Sequence, residues 1–212
     1  NHAWHYDEFN FGVYRDKRIN FISGDGRHFL QNTNNKYDLI SCDPTHPVLG
    51  SGNLYTKEYF KECYEKLNNN GMVSQYLPLH KLRLEDLMGI IKTFNSVFPN
   101  STIWFGQFHA ILLGKKDEGK IDFTTWEKKV NQMPKDDFFY FEPYHIASCV
   151  VLDKNKIEEL TSDLKINSDN LNYTEFFSFK SFKEENIYQN LRFLQNNRIS
   201  VYDVFSKIDD YE

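Results

Sequence analysis

Three polar side chains stand where apolar runs of the sequence end or turn polar. Asp25 follows the run RINFIS, Asp43 follows YDLISC, and Gln75 lies in the run GMVSQYLPL. If these runs are strands of one parallel sheet, their carboxyl ends share an edge, which is where ligands of open α/β sheets bind. Carboxylates placed there can hydrogen-bond a ligand or take part in proton transfer. The spacing therefore predicts a ligand site at this edge.

Each of these side chains also has a simpler interpretation when it is taken alone. The sequence Gly24-Asp25-Gly26 is typical of a tight turn, and Asp43 could cap a helix or lie in a loop. Gln75 could be a satisfied polar group of the core. The coincidence at three consecutive strand ends favours the site over these separate interpretations.

The pattern of apolar residues predicts an α/β fold with a mostly parallel sheet and an antiparallel terminal pair of strands. The predicted strands are Arg18–Ser23, Tyr37–Cys42, Gly71–Leu79, Ser101–Gly106 and His109–Lys116. The predicted helices are a short one at Arg27–Asn32, then Thr56–Gly71, Arg83–Phe98, Phe123–Met133, Leu152–Leu164, Glu184–Arg198 and a short one at Val201–Ile208. After Asn167 a loop is expected to lead into a short strand that ends near Phe179. We expect residues 1–116 to form a partial α/β domain, and residues 117–212 to form a mostly helical extension packed on it.

Charge and cysteine content narrow the classes of function. The formal net charge is −5 and Lys and Arg form no cluster, so nucleic acid is not expected as a partner. Three cysteines without close spacing predict neither a disulfide framework nor a zinc site, which favours a reducing, cytoplasmic location. No apolar run reaches the roughly 18 residues that span a bilayer.

The segment Asp7–Leu82 resembles the spermidine synthase (polyamine aminopropyltransferase) family. The motifs that carry the resemblance are GDGRHFL, YDLISCDPTHP, NLYTKEYF and GMVSQYLPL, continued by SVFPNSTIWFG and, near the end, by NSDNLNYTEF. The similarity is closest to bacterial spermidine synthase-like proteins that are often fused to membrane segments. It implies a Rossmann-like, methyltransferase-type fold.

The resemblance also implies an enzyme and a set of site residues. The enzyme would transfer the aminopropyl group of decarboxylated S-adenosylmethionine to an amine, without a metal. Asp43 would orient or deprotonate that amine, whose pKa of about 10.4 keeps it protonated near neutral pH. The co-substrate would bind at Gly24, Asp25 and Gly26, with Asp25 accepting from the adenine amino group. Substrate-binding residues would be Tyr55, Gln75, Tyr76 and His46.

Two departures from the family pattern shape these expectations. His46 stands where the family usually has a second acid, so the acceptor is expected to differ from putrescine. The glycine-rich loop and ribose-binding acid of the family would precede residue 5, so we expect the chain to be the C-terminal part of a longer protein. Two other functions stay open: an S-adenosylmethionine-dependent methyltransferase of the same fold, and a non-catalytic domain that has lost the nucleotide site. A homodimer is also left open.

Overall fold

The structure is a computed structural model that describes residues 3–6, 9, 11–44, 50–80, 82–106, 109–117, 119–133, 142–175, 183 and 185–208. The chain forms two compact units, Asn1–Thr33 and Asn34–Glu212. The strands are β1 (Tyr37–Cys42), β2 (Leu67–Pro78), β3 (Thr102–Phe105), β4 (His109–Lys115), β5 (Ile121–Asp122), β6 (Val150–Leu152) and β7 (Phe205–Ser206). The α-helices are α1 (Gly26–Asn32), α2 (Lys57–Glu65), α3 (Leu84–Asn95), α4 (Phe123–Asn131), α5 (Pro143–Ala147), α6 (Lys154–Thr161), α7 (Glu185–Asn196) and α8 (Val201–Val204).

The first unit contains α1 and two short 3-10 helices, Ala3–Tyr6 and Val13–Arg15. The predicted helix at Arg27–Asn32 is confirmed as α1, but the predicted strand Arg18–Ser23 is wrong. A strand requires a hydrogen-bonded partner, and no described segment pairs with these residues. Phe21 and Ile22 are accordingly 54% and 56% exposed, although their residue types are those of a buried strand.

The second unit is built on a five-stranded sheet with the order β1-β2-β4-β3-β6. β1 and β2 are parallel, whereas the β2–β4, β4–β3 and β3–β6 pairs are antiparallel. The α/β class is confirmed, and so is the antiparallel pairing of β3 with β4. The prediction of a mostly parallel sheet is wrong for the described strands, because a single βαβ connection, from β1 through α2 to β2, lies within this sheet.

Helix α2 is shorter than its apolar stripe predicted. Thr56 caps it by accepting from the Tyr59 amide, and Tyr59, Phe60 and Cys63 are buried. The helix ends at Glu65 because Leu67 already pairs with Tyr37 in the sheet. The register then shifts between Tyr37 and Leu39, and a Cβ at Gly71 would lie 2.9 Å from the Tyr37 carbonyl oxygen. Only glycine fits this close approach of the two strands.

The main core lies between α2, α3 and the sheet. Phe94 of α3 packs edge-on against Phe60 and stacks on Phe98, with ring centroids 5.0 Å and 4.7 Å apart. These rings are almost completely buried. The alternation along β4 puts Ala110 and Leu112 into the core as well. This packing fixes β1 and β2 against α2, and so fixes the points where both strands end.

The C-terminal part contributes strands as well as helices. β6 extends the sheet next to β3, and β7 pairs with β5. The predicted helices Leu152–Leu164 and Val201–Ile208 are therefore shorter than expected, because each of these ranges includes strand residues. Phe205 and Trp104 belong to a second buried cluster with Phe123. The division at residue 116 stays a prediction, and Phe179, where the expected short strand would end, lies outside the described residues.

Candidate active site at the carboxyl ends of β1 and β2

Asp43 follows directly after the last residue of β1. The parallel register aligns Cys42 with Gln75 of β2, so the chain reaches Asp43 beside Gln75 and Tyr76. The Asp43 side chain is exposed. Its charge contributes to raising the pKa of both Tyr55 and Tyr76, which places the carboxylate near both phenols. The structure thus brings together four of the predicted residues, Asp43, Tyr55, Gln75 and Tyr76, which we call the strand-end site.

Tyr55 forms the buried wall of the strand-end site. It ends the 3-10 helix Gly52–Tyr55 and is completely buried. Its hydroxyl donates to the Tyr76 carbonyl oxygen over 3.1 Å. Burial raises the pKa of Tyr55 far above its ordinary value, so the phenol keeps its proton at neutral pH. Tyr55 is therefore not expected to act as a base, and its substrate-binding role stays a prediction.

Gln75 is a fully buried amide at this site. Its Nε2 lies 3.5 Å from the Tyr76 carbonyl oxygen, while its Oε1 has no hydrogen-bond partner among the described residues. The amide also contacts the Cys42 thiol, whose pKa is raised by burial. A buried carbonyl oxygen without a donor costs free energy, and a ligand with N–H groups could provide the missing donor.

Tyr76 and His109 form an aromatic pair next to Asp43. Their ring centroids are 5.2 Å apart and tilted by 38°. Partial burial raises the pKa of Tyr76, with a smaller contribution from the Asp43 charge. A Cβ at Gly106 would lie 2.3 Å from His109 Nε2, so the imidazole lies directly over this glycine. The sequence interpretation did not include His109, because a histidine at the start of a strand has no distinctive pattern.

The residues predicted to bind the co-substrate lie in the first compact unit. Asp25 is the N-cap of α1, and one of its carboxylate oxygens accepts from the His28 amide over 2.8 Å. Gly24 and Gly26 flank it. Asp25 is exposed, and its cofactor-binding role remains a prediction. His46 lies outside the described residues.

A buried asparagine from the C-terminal part reaches the strand-end site, which residue patterns alone did not predict. Asn167 is completely buried. Its Nδ2 donates to the Tyr55 carbonyl oxygen over 3.0 Å and to Thr174 Oγ1 over 3.3 Å. Thr174 Oγ1 in turn lies within hydrogen-bond distance of two acceptors, the Gly52 carbonyl oxygen at 3.3 Å and Asn172 Oδ1 at 2.6 Å. The motif NSDNLNYTEF was the signal for this contact, although its sequence could not show what it touches.

No group of three or more His, Cys, Asp or Glu side chains among the described residues is placed to hold a metal ion. None of their helices is long and apolar enough to cross a membrane.

Comparison with known proteins decides the family. Residues 5–133, more than half of the 212-residue chain, match the family described as spermine/spermidine synthase domain. The chain belongs to the spermine/spermidine synthase family. The family prediction from the motifs is thereby confirmed, and the matched range includes all four residues of the strand-end site.

Curated relatives are polyamine aminopropyltransferases. The polyamine aminopropyltransferase of Thermococcus kodakarensis is 31% identical over 135 residues, which cover 60% of this chain and 45% of the relative. That of Saccharolobus solfataricus is 26% identical over 175 residues, or 76% of this chain and 56% of the relative. The chain therefore spans about half the length of the curated relatives that it matches.

Solved structures confirm the fold. The crystal structure of spermidine synthase from Thermotoga maritima is similar with a TM-score of 0.57 and 21% identity, covering 74% of this chain and 55% of that one. A spermidine synthase in complex with the transition-state analogue AdoDATO gives a TM-score of 0.56 and 19% identity, covering 73% and 52%. At this identity the likeness supports the methyltransferase-like fold alone.

Proposed function

We propose that the protein transfers an aminopropyl group from decarboxylated S-adenosylmethionine to an amine, as part of polyamine biosynthesis. The observation that carries the proposal is the exposed carboxylate of Asp43 at the end of β1, beside Tyr76 and the buried amide of Gln75. Membership of the spermine/spermidine synthase family supports the reaction class.

Asp43 is the proposed catalytic residue. The acceptor binds as an ammonium next to the carboxylate, which takes its proton and keeps the nitrogen in line. The nitrogen lone pair then attacks the aminopropyl carbon that is bonded to sulfur. The new C–N bond forms as the C–S bond breaks, and the bonding electrons return to sulfur, leaving a neutral thioether, methylthioadenosine. This balance requires neither a metal nor a covalent enzyme intermediate.

The other members of the strand-end site bind and shape the acceptor in this proposal. Gln75 Oε1 accepts from an N–H of the amine, which gives the buried oxygen the partner that it lacks among the described residues. Tyr76 offers an aromatic face to the ammonium or its methylene chain. Tyr55, held by its bond to the Tyr76 carbonyl oxygen, closes the apolar side.

Gly24, Asp25 and Gly26 are the proposed contacts for the nucleoside of the co-substrate. The exposed carboxylate of Asp25 can accept from an adenine amino group while it caps α1 with one oxygen. His46, in place of the family's second acid, favours an acceptor other than putrescine, because an imidazole is a poor partner for a second ammonium. Cys42, Cys63 and Cys149 form no disulfide among the described residues, which agrees with a reducing compartment such as the cytoplasm.

The test measures product release by the chain, and by any longer natural polypeptide that contains it, with a panel of amines. We expect methylthioadenosine to form from decarboxylated S-adenosylmethionine when a suitable amine is present. If intact S-adenosylmethionine instead gives S-adenosylhomocysteine, the protein is a methyltransferase. If neither the chain nor any such longer polypeptide binds or turns over either compound, the domain is non-catalytic. Either of these results overturns the proposal.

A further inference from the structure

We propose that Asn167 is a positioning residue, which fixes Tyr55 in the wall of the strand-end site. With Asp169 and Thr174 it forms what we call the C-terminal clamp. The proposal deepens the proposed function and rests on it, because the clamp matters for catalysis only if an amine binds beside Asp43. The clamp is also open to a test that does not require activity.

Both polar atoms of the Asn167 carboxamide form hydrogen bonds, with main-chain groups and with Thr174. Nδ2 donates to the Tyr55 carbonyl oxygen and to Thr174 Oγ1, and Oδ1 accepts from the Tyr173 amide over 3.1 Å. The side chain is completely buried, so water does not compete for these bonds. An isosteric carboxylate would face the Tyr55 carbonyl oxygen with a second acceptor and lose the bond. The site therefore distinguishes asparagine from aspartate.

The main chain of Asn167 is held as firmly as its side chain. Its amide donates to Thr93 Oγ1 of the core helix α3 over 2.8 Å, and its carbonyl oxygen accepts from the Lys57 amide over 2.9 Å. Asn167 thus links α3 on one side with the segment Gly52–Glu58 on the other. The clamp is a rigid support because α3 is packed into the main core.

The other two clamp residues hold the same segment. Asp169 Oδ1 accepts from Thr56 Oγ1 over 2.7 Å, and the Asp169 amide donates to Glu58 Oε2 over 2.9 Å. Thr174 reaches the Gly52 carbonyl oxygen at the other end of the segment. Gly52, Tyr55, Thr56 and Glu58 are therefore all tied to residues more than a hundred positions later in the chain.

These contacts fix Tyr55 at both of its ends. Asn167 holds its carbonyl oxygen, and Tyr76 accepts from its hydroxyl. Tyr55 consequently connects the clamp, through its carbonyl oxygen, with β2, through its hydroxyl group. Displacing the segment moves the phenol relative to Asp43, and misplacement of about 1 Å can cost on the order of 100-fold in rate.

The experiment compares Asn167→Asp with Asn190→Asp. Asn190 is also completely buried, and its Nδ2 donates to the carbonyl oxygens of Leu79 and Leu82 over 2.8 Å and 2.7 Å. Both substitutions remove a buried donor from two acceptors, but Asn190 holds a different loop. For both variants we would measure the melting temperature, hydrogen exchange of the amides at residues 52–60, and KM and kcat for the amine.

We expect both variants to lose comparable stability, and only Asn167→Asp to exchange faster at residues 52–60 and to raise KM for the amine about tenfold or more. Equal changes of KM in both variants, or unchanged exchange in Asn167→Asp, would overturn the proposal. If Asn167→Asp does not fold, Thr174→Val is the milder variant, since it removes the Thr174 hydroxyl from Gly52 and from Asn167 Nδ2 but leaves the Asn167 bonds to Tyr55 and Tyr173 intact. It is expected to change exchange and KM in the same direction by a smaller factor.

Failure of the proposed function gives a different result. In that case the wild-type protein transfers no aminopropyl group to any amine, whatever the variants do. The exchange measurement then tests only whether the clamp fixes the segment that contains Tyr55. Faster exchange at residues 52–60 in Asn167→Asp, and not in Asn190→Asp, supports this role. Unchanged exchange in both variants contradicts it.

Discussion

The strand-end site and the second buried cluster are in the same compact unit but bury opposite kinds of side chain. At the strand-end site, the amide of Gln75 is completely buried beside an exposed carboxylate, and the carboxamide of Asn167, which holds Tyr55, is completely buried as well. The second cluster, which we call the aromatic cluster, comprises Trp104, Phe123, Trp126 and Phe205. Their rings meet at centroid distances from 5.1 Å to 6.0 Å.

The difference indicates which region serves stability and which serves a ligand. Burying rings is favourable without further partners, whereas burying an amide is favourable only when its polar atoms are paired. Asn167 has its partners, but Gln75 Oε1 has none among the described residues. A core selected for stability alone would have an apolar residue at position 75. Substitutions in the two regions should therefore change different measurements.

The largest expected effect is on catalysis, from Asp43→Asn. The amide keeps the shape of the carboxylate but cannot accept the proton, so we expect kcat/KM for the amine to fall about 10²–10⁴-fold. Because Asp43 is exposed, stability should change little. Asp38→Asn is the control: Asp38 is an exposed acid on the same strand and accepts from Asn68 Nδ2. Activity equal to wild type in Asp43→Asn would remove the proposed base.

The opposite pattern is expected for Phe205→Ala in the aromatic cluster. Phe205 is 2% exposed and contacts Trp104, Phe123 and Trp126. Its truncation should lower the free energy of unfolding by about 3–5 kcal/mol. Denaturant unfolding measures this loss, and the folded fraction should keep the wild-type KM. A raised KM without a loss of stability would show that the two regions are not separate in function.

A sharper comparison comes from Gln75→Leu, which makes the strand-end site chemically similar to the aromatic cluster. Leucine has a similar volume and removes the unpaired oxygen, so we expect stability to stay equal or rise by about 1 kcal/mol. KM for the amine should rise about ten- to a hundredfold, because a hydrogen bond to the ammonium is worth about 1.5–3 kcal/mol. Ser74→Ala, on the neighbouring position of β2, is the control. Lower stability in Gln75→Leu would mean that the amide is fully paired.

The sequence predicted the placement of Asp43, Gln75 and Tyr76 better than it predicted the pairing of the sheet, while their roles stay predictions. The positions of these residues could be predicted because the apolar runs of β1 and β2 are short, local patterns. The structure pairs these two strands in parallel and brings Asp43, Gln75 and Tyr76 together. The run Arg18–Ser23 has the same local pattern but lacks a described partner, so pattern alone could not decide its state. The contact between Asn167 and Tyr55 joins residues 112 positions apart, and no periodicity reports such a contact. The antiparallel pairing of β2 with β4 also depends on contacts between distant parts of the chain, which local patterns do not show.

The smallest expected effect comes from an ion pair at the edge of the aromatic cluster. Asp122 ends β5, caps α4 by accepting from the Thr125 amide, and contacts the Lys207 ammonium that follows β7. The Lys207 hydrogen bond, followed by the Thr125 amide, lowers the pKa of Asp122 from 3.8 to about 2. Because the folded-state pKa is the lower one, the pair stabilises the fold above pH 3.8, and the contribution is lost as pH falls through about 2.

Asp122→Asn should therefore lower the melting temperature by only about 1–3 °C at pH 6, since exposed pairs are screened by solvent. The difference from wild type should shrink as the pH falls from 4 towards 2, and it should shrink with added salt at pH 6. Lys207→Gln separates the two partners of the carboxylate, because it leaves the Thr125 cap intact. We expect it to lose less than Asp122→Asn and to be less sensitive to salt than wild type. A difference that is constant with pH would assign the effect to packing, and the edge of the aromatic cluster would then be stabilised without a contribution from charge.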